Sequence, residues 1–184
     1  MSKKEYLRKK FLKLRKKNYF DINPSFFNPL ISLLKKNGKK FKSISIYYPT
    51  NYEVNLLKIF QCNFFNSFEK LLPVILKKNT MIFYKWNYKE ILTVNKFGIL
   101  EPLKNGKNVV PKVMILPLLA FDNNKNRLGY GKGYYDKFLN KYIKKNRNII
   151  TIGVAFSFQK YHKLPTSKFD VKLNYILTEK GLLR

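Results

Sequence analysis

The chain has 184 residues with a hydrophobic share of 45%, which is enough to bury the core of a globular domain. Its one cysteine, Cys62, excludes an intrachain disulfide, and its one histidine, His162, excludes zinc sites built on several histidines or cysteines. The formal net charge is +28.

This charge has two interpretations. A nucleic-acid partner is one of them. However, the lysines are dispersed along the chain and no nucleic-acid-binding motif accompanies them, so we favour a compositional bias and expect no specific nucleic acid. A field of this sign also draws anionic small substrates inward.

The location is expected to be cytoplasmic. Residues 1–20 are basic and lack the apolar core of a signal peptide. No run approaches the ~20 apolar residues that span a bilayer. We therefore expect no membrane contact, and we also expect a monomer.

Two helices and a strand are predicted in the first 50 residues. Apolar residues recur at helical spacing over residues 2–18, where Lys4 and Arg8 share one face. A second helix begins at Asn23-Pro24 and ends at Asn37-Gly38. Residues 42–49 alternate as a strand does.

The middle of the chain gives weaker signals. A helix is predicted from about Tyr52, with Glu53 in its first turn. Residues 81–86 and 91–94 have the composition of two strands of one hairpin.

The second half reads as strand, loop, helix and strand. Residues 113–121 form a continuous apolar run, typical of a strand buried on both faces, in which Pro117 ends the strand or starts the loop. A helix over residues 134–145, a buried strand over 148–156 and a short last strand over 174–177 follow. This alternation predicts an α/β fold: a three-layer sandwich with a mixed, largely parallel central sheet, in a single domain over residues 1–184.

A glycine-rich segment, residues 127–136, joins the buried strand to the following helix. Alternating glycines let backbone N–H groups close on an anion at a helix N-terminus. The pattern is neither a Walker A loop nor a dinucleotide fingerprint. A tight turn with a basic rim is an equally good interpretation of the spacing alone.

The available side chains suit phosphoryl transfer. That chemistry depends on positioning and charge neutralisation, which Lys, Arg and backbone dipoles provide. A carboxylate is needed to hold Mg²⁺, and Asp136 and Asp170 are the best candidates.

Taken together, these motifs resemble those of a known family. The run Leu116-Pro-Leu-Leu-Ala-Phe-Asp122, followed by Arg-Leu-Gly-Tyr-Gly-Lys-Gly-Tyr-Tyr-Asp136, resembles the signature of the 5-formyltetrahydrofolate cyclo-ligases. Weaker matches along the rest of the chain, including Glu101-Pro102, fall in the family's order. The chain departs from the family pattern at Leu118, Phe169 and Asn174.

The resemblance implies an enzyme that uses ATP and Mg²⁺ to convert 5-formyltetrahydrofolate to 5,10-methenyltetrahydrofolate. The formyl oxygen attacks the γ-phosphate, and the neighbouring amine then closes the ring. The alternatives are a non-catalytic folate- or nucleotide-binding relative, or a basic nucleic-acid-binding protein.

The resemblance also implies site residues. Lys132 and Arg127 would be catalytic, and Asp136 and Asp170 would bind Mg²⁺. The residues expected to contact ATP are Lys4, Arg8, Arg127, Leu128, Gly129, Tyr130, Gly131, Lys132, Gly133, Tyr134 and Tyr135. The residues expected to contact the folate are Tyr48, Glu53, Tyr130, Gly131, Lys132, Gly133 and Tyr134.

Overall fold

The structure, a computed structural model, describes residues 1–37, 41–76, 80–104, 106–143 and 148–184. Its α-helices are α1 (Lys3–Asn18), α2 (Asn28–Lys36) and α3 (Tyr134–Ile143). Its strands are β1 (Ser43–Ser45), β2 (Glu69–Ile75), β3 (Met81–Lys85), β4 (Leu92–Val94), β5 (Leu100–Pro102), β6 (Val113–Pro117), β7 (Ala120–Phe121), β8 (Arg127–Leu128), β9 (Ile150–Val154), β10 (Tyr175–Thr178) and β11 (Gly181–Leu183). Short 3-10 helices span Pro24–Phe27, Leu56–Gln61, Asn63–Ser67 and Ser157–Gln159.

The central sheet has seven strands in the order β11-β10-β9-β6-β1-β2-β3. Neighbouring strands from β10 to β2 pair in parallel, while the edge strands β11 and β3 pair antiparallel. The buried strand β6 lies near the middle and ends at Pro117, as predicted. The mixed, largely parallel sheet is therefore confirmed.

Both faces of this sheet are covered. Ile44 and Ile115 point to one face, where they belong to a core with Leu30 of α2. Met114 belongs to a second core on the other face, with Leu139 of α3. Successive residues of a strand point to opposite faces, so an all-apolar strand needs helices on both sides. The predicted three-layer sandwich is confirmed.

Helix α1 packs outside these two cores. Ser2 and Glu5 form a capping box at its beginning. Leu7 and Phe11 are buried in a third cluster, together with Leu128 of β8. This packing lays the basic face of α1 beside the loop that follows β8.

Several predicted elements differ from the structure. No helix begins at Tyr52, because Asn51 and Tyr52 adopt left-handed φ angles of 48° and 61° in a tight turn. The 3-10 helix begins later, at Leu56, where the Asn55 side chain accepts a hydrogen bond from the Leu57 amide. The apolar residues do recur at helical spacing, but the turn at Asn51 and Tyr52 delays the start of the helix to Leu56.

The predicted hairpin of residues 81–86 with 91–94 is also wrong. Strand β3 pairs with β2, and β4 pairs with β5 in a separate two-stranded sheet. Buried Trp86 donates its indole N–H to the Glu90 carbonyl, which turns the chain between the two pairs. The strand over 174–177 is not the last one, since β11 follows it.

Two predicted helix ends fall partly outside the described residues, namely Gly38 after the Asn37 cap and residues 144–145 of the third helix. No helix in the described ranges is long and apolar enough to cross a bilayer.

Candidate active site

A cavity of about 590 Å³ opens at the carboxyl ends of the parallel strands. Pro117 at the end of β6, Ile75 at the end of β2 and Tyr48 just after β1 contribute to its walls. Ligands of open α/β sheets gather at this edge. Every site residue predicted from the sequence lines this one cavity, from Lys4 of α1 to Asp170.

The glycine-rich loop forms one side of the cavity and leads into the N-terminus of α3. Gly131 and Gly133 adopt φ angles of +95° and +70°. Arg8 lies across the loop, because its Nε donates to the Gly129 carbonyl at 2.9 Å. The loop therefore combines backbone N–H groups, a helix N-terminus and a guanidinium, which together favour an anion.

Leu128 differs from its neighbours in the loop. It lines the cavity, but its side chain is 2% exposed and packs beneath α1. Its carbonyl accepts a hydrogen bond from the Leu119 amide at 2.7 Å. Leu128 therefore anchors the beginning of the loop.

Arg127 and Asp136 form a partly buried ion pair at the two ends of the loop. The guanidinium donates to Asp136 Oδ1 at 2.7 Å and to the Val171 carbonyl at 2.8 Å. Burial lowers the pKa of Arg127, although the Asp136 carboxylate opposes this effect. The pair fixes both residues at the cavity wall.

Lys4 and Asp170 form a second pair, 2.5 Å apart and about one quarter exposed. Partial burial raises the pKa of Asp170, but hydrogen bonds from Lys4 and the Ser167 amide lower it overall. Asp170 is therefore a carboxylate at neutral pH.

Each of the two aspartates retains a carboxylate oxygen that can coordinate a hard cation. Asp136 uses Oδ1 and Asp170 uses Oδ2 in their hydrogen bonds, which leaves one oxygen of each without a partner among the described residues. Mg²⁺ binds through one or two carboxylates together with water and phosphate oxygens. No cluster of three or more His, Cys, Asp or Glu that could hold a metal is present in the described ranges.

A buried polar cluster joins α1 to both walls of the cavity. Arg15 is fully buried, and it donates to the carbonyls of Asn51 and Leu118 and to the Tyr130 hydroxyl. Tyr130 donates in turn to Glu53 Oε1 at 2.7 Å. The cluster thus links the glycine loop to the carboxylate predicted to face the folate.

Burial raises the pKa of Glu53, while Arg15 and hydrogen bonds from Thr50 and Tyr130 oppose the rise. The Thr50 amide donates to Glu53 Oε2 at 2.9 Å. Both oxygens of Glu53 therefore have protein donors.

Aromatic and basic side chains complete the walls. Lys132 is exposed, with its ammonium 6.0 Å from the ring centre of Phe97. The Phe97 ring also meets Tyr134 edge to face. Burial and the nearby Glu53 charge raise the pKa of Tyr135 well above its usual range. Lys132 thus contributes an exposed ammonium group to the cavity lining.

Sequence reasoning gave no role to two buried residues beside or in the cavity. Arg15 follows Lys4, Arg8 and Phe11 at helical spacing, so the same periodicity could have identified it. Glu101 lines the cavity although it is far from the glycine loop in sequence. Asn174, a departure from the family pattern, lies elsewhere and accepts hydrogen bonds from Thr151.

Comparisons with known proteins show the family of this chain. The chain matches the model of the 5-formyltetrahydrofolate cyclo-ligase family over residues 1–179. It is 32% identical to the 5-formyltetrahydrofolate cyclo-ligase of Haemophilus influenzae over 145 residues, and the aligned region covers 76% of each chain.

Solved structures agree as well. The NMR structure of 5,10-methenyltetrahydrofolate synthetase from Aquifex aeolicus superposes with a TM-score of 0.76 at 33% identity, over 98% of this chain and 92% of that one. The structure of a 5,10-methenyltetrahydrofolate synthetase from Mycoplasma pneumoniae superposes with a TM-score of 0.72 at 25% identity, over 96% of this chain and 98% of that one. The chain therefore belongs to the 5-formyltetrahydrofolate cyclo-ligase family.

Proposed function

We propose that this chain converts 5-formyltetrahydrofolate to 5,10-methenyltetrahydrofolate with ATP and Mg²⁺. Family membership supports the reaction. The use of ATP is supported by one observation: the cavity brings a glycine loop, a helix N-terminus and basic side chains together with an enclosed carboxylate. Such a cavity can hold a nucleotide next to the pteridine ring of the folate, whose N–H groups can bond a carboxylate.

The reaction needs ATP because a formamide oxygen is a poor leaving group. The formyl oxygen attacks the γ-phosphorus, and the bond to ADP breaks. The neighbouring amine then adds to the formyl carbon. Phosphate departs with the former formyl oxygen, and the amine loses its proton to solvent, which leaves the closed methenyl ring.

The basic residues are proposed to hold the phosphates. Arg8 already spans the loop through the Gly129 carbonyl, and its remaining guanidinium N–H groups have no partner among the described residues. Lys132 is exposed at the mouth, so its ammonium can follow the phosphoryl group as charge develops. Arg127 orders the loop through its pair with Asp136. Lys4 would exchange Asp170 for a phosphate oxygen.

Asp136 and Asp170 are proposed to hold Mg²⁺ through their uncommitted oxygens; when bound, the ion supplies neutralisation of phosphate charge.

The folate is proposed to lie against Tyr48 and Glu53, beyond the glycine loop. Tyr130 reaches both halves of the site, because its backbone belongs to the loop and its hydroxyl bonds Glu53. The remaining loop residues, from Gly129 to Tyr135, would contact ATP, and those from Tyr130 to Tyr134 would also touch the folate. We further propose a single-domain, cytoplasmic monomer with no specific nucleic-acid partner.

The test is incubation with 5-formyltetrahydrofolate and Mg-ATP, following the near-ultraviolet absorbance of the methenyl product and the release of phosphate. We expect the two to appear in equal amounts. Lys132→Met should lower kcat about 10²-fold or more, as loss of a transition-state charge contact does. Lys137→Met, at an exposed position on α3, is the matched control. Folate binding without any turnover in the parent protein would instead favour a non-catalytic relative.

A further inference from the structure

Glu101 of β5 is a buried carboxylate that lines the cavity. It is 6% exposed. Its Oε1 accepts hydrogen bonds from the Ile75 amide at 2.8 Å and from Asn95 Nδ2 at 2.6 Å. These two contacts tie the end of β2 to the small β4–β5 sheet and fix the orientation of the carboxylate.

The other oxygen, Glu101 Oε2, has no hydrogen-bond partner among the described residues. It is not sealed in the interior, because Ser45 Oγ is the one buried side-chain polar atom of the described residues that is both enclosed and unpartnered. Since the residue is otherwise buried and lines the cavity, the remaining accessible surface of Oε2 opens into the cavity.

Apolar residues that line the cavity adjoin the two partners of this carboxylate. Met81 pairs with Ile75, and the Ile99 amide donates to the Asn95 side chain. A carboxylate oxygen that lacks a donor beside apolar groups is costly, and a ligand N–H removes that cost. Glu53 differs, because protein donors already occupy both of its oxygens.

Resting on the proposed function, we propose that Glu101 Oε2 accepts a hydrogen bond from an N–H group of the reduced pteridine ring of the formylfolate, and thereby sets specificity for that ring. The ring is flat and carries several N–H donors, which suits apolar walls with one fixed acceptor. The glutamyl tail of the substrate is anionic, so a buried carboxylate repels it. A site built to pair with an N–H discriminates against ligands that lack one.

The variant Glu101→Gln tests this assignment. An amide oxygen can keep the Ile75 contact, but an NH₂ group then replaces Oε2 and meets the substrate N–H donor to donor. We expect the calorimetric Kd for 5-formyltetrahydrofolate to rise about tenfold or more, as expected for losing a hydrogen bond to a charged group. The Kd for a non-hydrolysable ATP analogue should stay within about twofold.

Glu90→Gln is the matched control, because Glu90 is exposed in the same segment, also accepts hydrogen bonds from a neighbouring asparagine, Asn87, and loses the same charge. We expect it to bind both ligands as the parent does.

A shortened ligand tests the assignment to the ring. With 5-formyltetrahydropteroate, which lacks the glutamyl tail, the Kd of Glu101→Gln should exceed that of the parent by the same factor. An effect that disappears with this ligand would overturn the assignment to the ring.

Should Glu101→Gln fail to fold, as judged by its thermal unfolding, Glu101→Asp takes its place. This side chain is one methylene shorter, so we expect the same selective loss of formylfolate affinity. Unchanged affinity, or equal loss for the nucleotide analogue, would overturn the proposal. If the parent binds the folate without turnover, the proposed reaction fails, yet the Kd comparison still decides the role of Glu101. If the parent does not bind the folate, both proposals fail.

Discussion

The guanidinium carbon of Arg8 lies 2.9 Å from the position that a Cβ on residue Gly131 would occupy. Real Cβ atoms do not come this close to another heavy atom, so any larger residue would push the arginine away. The absence of a side chain at residue 131 is therefore what lets a helix from the N-terminus place its charge over the glycine loop.

Gly131→Ala is expected to raise the KM for ATP about tenfold or more, since it both displaces Arg8 and strains a φ of +95°. Two controls separate these causes. Gly133→Ala has open space around it and adds only the strain of its positive φ, on the order of 1–2 kcal/mol. Gly129→Ala has open space and no positive φ, so a change in its KM for ATP would report contact with the nucleotide rather than displacement of Arg8 or strain.

The steady-state kinetics of these three variants and of Arg8→Met would check this prediction. If displacement of Arg8 is the main effect, the double variant of Gly131→Ala and Arg8→Met should be little worse than Arg8→Met alone. Additive losses would contradict that explanation.

Arg15→Met is expected to lower the free energy of unfolding by roughly 3–5 kcal/mol, the usual cost of removing one partner of a buried charge pair. Arg15 is fully buried, lies 4.0 Å from Glu53 and donates to two carbonyls. Lys13→Met, on the exposed side of the same helix, should change the stability little. Urea unfolding of both variants measures the difference, and equal stability would contradict the role given to Arg15.

The deficit of Arg15→Met should shrink as the pH falls. Burial already raises the pKa of Glu53 in the folded protein, and loss of Arg15 raises it further. A carboxyl with a raised folded pKa binds a proton more readily when folded than when unfolded. The variant therefore loses stability as the pH rises from the unfolded pKa through the folded one, and it loses more than the parent does. A deficit that is constant between acidic and neutral pH would contradict this account.

Asp170→Asn is expected to raise the Mg²⁺ concentration for half-maximal rate by about tenfold or more. The substitution removes a charged oxygen from the proposed cation site and weakens the contact with Lys4. A magnesium titration at saturating substrates is the measurement. Asp21→Asn, whose partner Lys58 lies outside the cavity lining, is the control that loses the same charge. An unchanged magnesium requirement in Asp170→Asn would remove this residue from the proposed site.

Local patterns predicted part of the fold well. The apolar run over residues 113–121 contains the central strand β6, which ends at Pro117, because an all-apolar strand can be buried only between two helical layers. The helix after the glycine loop begins at Tyr134, as predicted. The helix predicted from about Tyr52 does not begin there, since Asn51 and Tyr52 keep a left-handed backbone. Contacts of this turn with Arg15 and between Thr50 and Glu53 accompany that backbone, and residue propensity does not reveal them.

The order of residue types is enough to predict which segments are buried and which loop is built from glycines, because side-chain polarity and the absence of a Cβ act locally. The identity of the distant side chains that meet at the cavity depends instead on how the helices and strands pack. Arg15 and Glu101 are ordinary charged residues in the sequence, and they acquire a role because packing buries them next to the cavity. A buried charge loses its hydration, so its free energy depends on the partner that replaces the water. The packing of helices and strands determines which partner lies within reach.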